Sequence, residues 1–424
     1  MSKTLITNAF VWDGSGNGTF RGSVLVDGNR IAAVMREGEG IQYRDAAVID
    51  AHGGFLMPGM TEGHTHLSFE NVTTTEDLIR PTAEEQVFAA ARSAKALLDA
   101  GFTSAYGASE AKLRLGVAVR NEVDAGRLPG PRIRAGSLEI TVTGGMGDES
   151  REHNPRVGPS VVIDGVEEMR RAVRTACREG CDNIKLDVSG DPFYANTPAH
   201  TTPMTLEEVR AAVETAHAFQ RKVNAHTRSI SGSKACVRAG VDGLFHCEYS
   251  DNELLDMMEE ARDRIFVVPT VSLFHTIVNG EAAGAGLSRE VGSHMGINAL
   301  LEASVRTHSE LRKRGIRHLI GGDYGFAWSA NGTNARDLGF FVNYYGYSPE
   351  QALVCATRHG GDAMRSEGDL GRIGVGCLAD ILVVSGNVLD DLSLLLQPDR
   401  LALIMKDGHI HKSLLEAPSH ALAA

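Results

Sequence analysis

The chain has 424 residues, 42% of them hydrophobic, and a formal net charge of −12 at pH 7. That length accommodates one large domain with an accessory one, and the apolar content is enough to bury a substantial core. The acidic balance argues against wrapping a nucleic-acid backbone, and no apolar run reaches the length a membrane span requires. The first residues lack the long apolar stretch of a secretory signal. The six cysteines are scattered with no Cys-x-x-Cys pair, so they read as reduced core thiols and the expected compartment is the cytoplasm.

In chain order, Lys3 to about Phe55 shows apolar alternation broken by turn chemistry at Asp27-Gly28-Asn29, which predicts short antiparallel strands. The runs Ala47–Asp50 and Phe55–Met57 lead into His64-Thr65-His66. At the end of a strand, residues i and i+2 share a face, so both imidazoles can reach one metal ion. Taken alone, that pair reads as readily as two surface histidines. Ala83 to Ala100 is a predicted amphipathic helix ending at Gly101, and Leu206 to Phe219 is another, with Thr205 as N-cap and Glu208 at its third position. Between and after these helices, short apolar runs end on polar residues: Lys185, His226, His246, His275 and Asp323. His275 closes Pro269–His275, read as barrel strand seven.

Such runs, separated by helical stretches, predict buried parallel strands. In a (β/α)8 barrel, polar residues at the strands' C-terminal ends converge on one mouth. Singly, Lys185 could snorkel, His226 and His246 could be satisfied core residues, and Asp323 could cap a helix. Together they predict a metal centre. After about Asp362 the strand pattern returns, with a hairpin-like Asp407-Gly408. The expected architecture is α/β: a TIM-type (β/α)8 barrel over residues 58–362, and a small β-sandwich domain formed by residues 1–57 and 363–424. The tail from Ala417 to Ala424 is expected to fray.

These motifs resemble the amidohydrolase superfamily, metal-dependent hydrolases on a (β/α)8 barrel. The chain is most similar to the branch of imidazolonepropionase-like proteins, Xaa-Pro dipeptidases (prolidases) and carboxypeptidase-like enzymes that cleave dipeptides ending in Arg or Lys. The likeness spans nearly the whole chain, from Leu5–Gly14 and Gly22–Val34 to Ala352–Thr357 and Gly371–Val384. It implies two divalent metal ions, with zinc the first expectation, held by His64, His66, Lys185, His226, His246 and Asp323. In that family pattern the lysine is N6-carboxylated and bridges the metals, and Asp323 serves as the catalytic proton acceptor for a metal-bridging hydroxide. The implied reaction is hydrolysis of an amide or peptide bond in a small molecule such as a dipeptide or N-acyl amino acid. Family habit also implies a homo-oligomer. No Gly-x-Ser-x-Gly elbow is present to suggest a serine nucleophile.

Candidate substrate contacts are Arg228, His275, Tyr324 and Tyr106. Arg228 lies two residues past His226, where relatives often carry Tyr; it either grips a substrate carboxylate or pairs with a loop acid. Three departures from the family pattern alter the pocket: Met146 within Thr143–Asp148, Ala105-Tyr106-Gly107 after the second strand, and Phe245-His246-Cys247 at the sixth. A more apolar pocket favours N-acyl amino acids, aryl amides, carbamates or ureas. Two alternatives stand beside this reading. One is a cyclic-amide hydrolase or deaminase of the same superfamily, commonly with one metal and no bridging lysine. The other is a non-catalytic barrel, a class that usually loses its ligands.

Overall fold

The computed structural model describes residues 3–39, 46–365, 367–416 and 419–420. From the N-terminal end come β1 (Lys3–Trp12), β2 (Thr19–Asp27), β3 (Arg30–Arg36), β4 (Ala46–Asp50) and β5 (Phe55–Pro58). The central region supplies β6 (Met60–Thr65), β7 (Phe102–Gly107), β8 (Arg132–Arg134), β9 (Gly136–Val142), β10 (Val161–Ile163) and β11 (Asn183–Asp187). It continues with β12 (Lys222–Thr227), β13 (Gly243–His246), β14 (Phe266–Val268) and β15 (Arg317–His318). The C-terminal end adds β16 (Ile381–Val384), β17 (Leu401–Lys406), β18 (His409–Ser413) and β19 (Ser419–His420).

Both ends build one nine-stranded sheet in the order β18-β17-β16-β5-β1-β2-β3, with β4 pairing β1 and β19. Its seam is β5, parallel to β1 on one side and antiparallel to β16 on the other, where Leu382 faces Met57 and Val383 faces Leu56. The turn between β17 and β18 has φ of +50° at Asp407 and +73° at Gly408, the left-handed pair that a two-residue hairpin demands. Alternate residues of these strands, including Ile6, Val11, Val24, Leu56, Val383 and Leu403, form a separate apolar core. Of the tail expected to fray, Ser419 and His420 pair with β4; residues 417–418 and 421–424 lie outside the described residues.

The central strands are parallel and alternate with helices. Two sheets are formed, β6-β7-β8 and β10-β9-β11-β12-β13-β14-β15. Hydrogen bonds cross both junctions between them. Ser109 bridges Ser137 in parallel, and the Gly63 amide donates to the Ile320 carbonyl at 2.9 Å. The last parallel strand thereby meets the first.

Helix starts follow the sequence signals. Ala83–Asp99 and Leu206–Ala218 each open on a capping box, Thr82 with Glu85 and Thr205 with Glu208. Their buried faces, such as Ala90, Ala94 and Leu97, or Val209, Ala212 and Ala216, join the core over the strands. Among the described residues, no helix is long and apolar enough to cross a membrane.

One expected element differs. The run Pro269–His275 is not a strand: β14 stops at Val268, and Val271–Val278 is a helix. Pro269 cannot donate to a strand ladder, and Thr270 adopts φ +55°, so the chain leaves the sheet before His275.

Candidate active site

The carboxyl ends of the parallel strands open into a cavity of about 500 Å³ lined by His64, His66, Lys185, His226, His246 and Asp323. Local sequence places each of them. His64 belongs to β6 and His66 follows it. Lys185 lies in β11, His226 in β12, and His246 ends β13. Asp323 follows β15 through Gly321 and Gly322. A Cβ at Gly321 would lie 2.7 Å from the His64 amide nitrogen, so only glycine lets this segment pass so close to β6. Four residues here are left-handed without being glycine: His246 (φ +73°), Cys247 (+54°), Thr270 (+55°) and Asp323 (+60°). Such backbone is costly for L-residues and tends to gather at functional sites.

Asp323 Oδ1 lies 3.2 Å from His66 Nε2 and 3.7 Å from His64 Nε2. The rings of His226 and His246 are 4.3 Å apart, and those of His64 and His246 5.3 Å. One donor atom each from His64, His246 and Asp323 falls within 4.8 Å of the others. Three imidazoles are anchored through one nitrogen, leaving the other as a ligand atom. His66 Nδ1 meets the Ser109 carbonyl at 2.9 Å, His226 Nε2 the Gly190 carbonyl at 3.1 Å, and His246 Nδ1 the Thr270 hydroxyl at 2.7 Å. His64 Nδ1 is buried without a hydrogen-bond partner. This donor set suits a cation: burial holds His64, His226 and His246 far below the ordinary imidazole pKa, so their rings are neutral and keep a lone pair. Burial opposes ionisation of Asp323, but His64, the His66 hydrogen bond and Lys185 outweigh it and keep the carboxyl well below the usual range.

Lys185 is buried, its Nζ 3.5 Å from Glu139 Oε1 and 3.7 Å from Asp187 Oδ1. Burial disfavours its ammonium, yet Glu139, Asp187 and Asp323 together raise its pKa. Asp187 is itself fully buried and its carboxyl is pushed well up, by burial first and by Glu139 next. Neither acid stood out in the sequence. Asp187 was within reach of a simple rule, since it lies two residues past Lys185 on the same strand face.

The four expected substrate contacts lie elsewhere, outside the cavity lining. Arg228 is buried, its Nε donating to Asp191 Oδ2 at 2.8 Å and its Nη1 to Glu248, so its charge is spent inside the protein. Tyr106 donates to Asn224 Oδ1 at 2.8 Å and packs edge-on against Phe266. Tyr324 donates to Asp337 Oδ1 at 3.0 Å. His275, on its helix, has Nδ1 2.8 Å from the Tyr344 hydroxyl and Nε2 3.4 Å from Glu281.

The cavity walls instead come from loops and the short helix Glu76–Ile79. Phe69, Val72, Leu78, Met146, Phe326 and Trp328 form an apolar side. Phe69 stacks on the His66 ring at 4.3 Å, and Phe326 stacks on Trp328 at 5.2 Å. Met146 was singled out in the sequence; nothing in the spacing of the others marked them as neighbours.

An ochratoxinase of Aspergillus niger is 27% identical over 374 residues, covering 84% of this chain and 75% of that protein. An imidazolonepropionase of Symbiobacterium thermophilum is 24% identical over 389 residues, covering 86% of this chain and 84% of that protein. The crystal structure of a Xaa-Pro dipeptidase with methionine bound in its active site matches with a TM-score of 0.85 at 26% identity, covering 97% of this chain and all of that one. The sequence model of the Amidohydrolase family matches residues 55–411, most of the chain. On that match, this protein belongs to the amidohydrolase family.

Proposed function

We propose that this protein hydrolyses an amide bond in a small molecule, at a centre for two divalent cations in the mouth of a (β/α)8 barrel. The observation that carries this reading is the convergence of His64, His66, His226, His246 and Asp323 on one cavity floor, with three imidazoles anchored through their other nitrogens. The hydrogen bond from Gly63 to Ile320, joining last strand to first, supports the closed barrel.

His64, His66 and Asp323 would hold one cation and His226 with His246 the other, a nitrogen and oxygen set that suits zinc. Bound there, the cations supply Lewis acidity and lower the pKa of water. Carboxylated, Lys185 would supply a further oxygen ligand to the cations. As an ammonium it pairs with Glu139 and Asp187; as a carbamate it would lose that pairing and set a negative charge beside them. Carboxylation and cation loading are therefore expected to rise and fall together.

The chain's own groups account for the rest. Asp323, ionised and held by His66, accepts the proton of the attacking water and delivers it to the leaving nitrogen as the C–N bond breaks and a C–O bond forms. Phe69, Val72, Leu78, Phe326 and Trp328 take the bulky apolar part of the substrate and exclude water from that side. This favours N-acyl amino acids, aryl amides and dipeptides with a large apolar residue. The similarity to ochratoxinase and to Xaa-Pro dipeptidase supports acyclic amide cleavage. The similarity to imidazolonepropionase gives cyclic-amide hydrolysis as a second reading.

Metal content per chain, measured by elemental analysis beside hydrolysis of a panel of dipeptides, N-acyl amino acids and lactams, decides between them. Near two metals, both metal and activity falling in Lys185→Ala, and turnover of acyclic amides are expected. One metal, indifferent to Lys185→Ala, with turnover confined to lactams, would replace the first reading by the second.

A further inference from the structure

The helix Ile297–Lys313 buries three polar side chains, Ser304, Thr307 and His308. Two of them fasten the segment after β13. His308 Nε2 donates to the His246 carbonyl at 2.7 Å, and Thr307 Oγ1 donates to the Glu248 carbonyl at 2.7 Å. A carbonyl only accepts, so the ring proton of His308 sits on Nε2. The opposite nitrogen, Nδ1, lies 3.1 Å from Nε2 of His318 in β15, the strand that leads to Asp323. Both rings are fully buried and neither lines the cavity. Burial pushes His308 down to about 4 and His318 well below its ordinary value, so both rings are neutral. By the same argument as for His308, the His318 proton sits on Nδ1, 3.1 Å from the Ile316 carbonyl, so the two rings meet edge-on, 5.3 Å apart, as a packing contact.

The residue they hold is strained. His246 and Cys247 are both left-handed without being glycine, and such backbone persists only where surrounding contacts fix it. Three of those contacts bear on the ligand's placement. The Cys247 amide donates to the Thr227 carbonyl at 2.8 Å, the Thr270 hydroxyl meets His246 Nδ1, and His308 holds the His246 carbonyl. The first two come from strand and loop neighbours in the same sheet. The third comes from outside the sheet, from a ring that also packs against His318 on the strand before Asp323.

We propose that His308 is a positioning residue for the cation centre, fixing His246 by its backbone while its ring packs against His318 on the strand before Asp323. This rests on the reading of His246 as a ligand. The test titrates zinc alone into demetallated full-length protein against a chromophoric chelator, for wild type, His308→Asn, His308→Gln and His246→Ala, with melting temperatures and kcat and KM on the reloaded samples. The Asn amide is too short to reach the carbonyl, whereas the Gln amide nitrogen stands near the position of Nε2. His308→Asn is expected to weaken the looser zinc site about 10- to 100-fold and to lower kcat more than it raises KM, with His308→Gln recovering to within about threefold of wild type. Wild-type zinc affinity in His308→Asn, or a Gln variant as weak as the Asn variant, overturns the positioning role. Unchanged zinc binding in His246→Ala removes the ligand reading itself, and the proposal with it.

Discussion

The strands of the end sheet alternate buried with exposed positions along β1 to β3, whereas those of the cavity floor are buried almost throughout. In the end sheet the inward positions are apolar, as at Ile6, Val24, Leu56, Val383 and Leu403, and they fill a core of their own. On the cavity floor, equally buried positions carry His64, Lys185, Asp187, His226 and His246. Left-handed backbone in the sheet sits at turns such as Asp407-Gly408, where it forms a hairpin. On the floor it falls on His246, Cys247, Thr270 and Asp323, where it aims side chains. The contrast shows where stability comes from and where it is given up. Apolar burial in sheet and helices offsets the desolvated polar groups and strained backbone of the floor.

Substitutions on the two sides should therefore separate. Asp323→Asn is expected to keep its metals and its melting temperature while kcat falls roughly a hundred- to ten-thousand-fold; steady-state kinetics on metal-replete protein with turnover near wild type would end its role as proton acceptor. Behind the floor, Arg228→Ala leaves Asp191 and Glu248 buried without their cation. The Glu248 carboxyl is already pushed up to about 7 by burial against the pull of Arg228. Urea unfolding should register a loss of about 3–5 kcal/mol, and a cost near zero would mean the two acids find other partners.

In the end sheet, Leu403→Ala opens a cavity in the separate core and should cost about 2–5 kcal/mol. Its kcat/KM on folded protein should match wild type, and a changed kcat/KM would show that the sheet and the floor are coupled. The smallest effect belongs to His217, at the end of Leu206–Ala218. Its hydrogen bond to Asp242, 2.9 Å long, raises its pKa above the ordinary value. A raised imidazole pKa stabilises the fold below the unfolded value of about 6.5 and loses that contribution as pH rises through the folded value. The ring is 44% exposed, so solvent screening keeps the gain below about 1 kcal/mol. Melting temperatures of wild type and His217→Gln should differ at pH near 5.5 and converge by about pH 8; a constant difference would assign the effect to packing.

Much of this was legible in the chain. The capping box at Thr205 announced its helix because both partners lie within four residues. Asp407-Gly408 announced a hairpin because the required left-handed pair is local. His64 was legible from its spacing with His66, and Lys185, His226, His246 and Asp323 because each closes a short apolar run; strand ends in a parallel α/β array point to one side, and all of these line the cavity. His275 was misplaced because an apolar run without clear period suits helix or strand equally, and Pro269 with left-handed Thr270 settled it as helix.

Arg228 shows the limit of that reasoning. Its position two residues past His226 was visible, but Asp191 and Glu248, which take up its charge, arrive from loops after other strands. Tyr106 and Tyr324 likewise find Asn224 and Asp337 through contacts that no sequence spacing records. Periodicity, caps and turns act over a few residues, so the sequence by itself determined the strands, the helices and the polar residues at strand ends. Which of those side chains share a cavity, which are neutralised before reaching it, and which distant histidine holds the strained backbone at His246 depend on chain segments tens to hundreds of residues apart. Only the tertiary structure decided these, because close packing and desolvation act on neighbours in space.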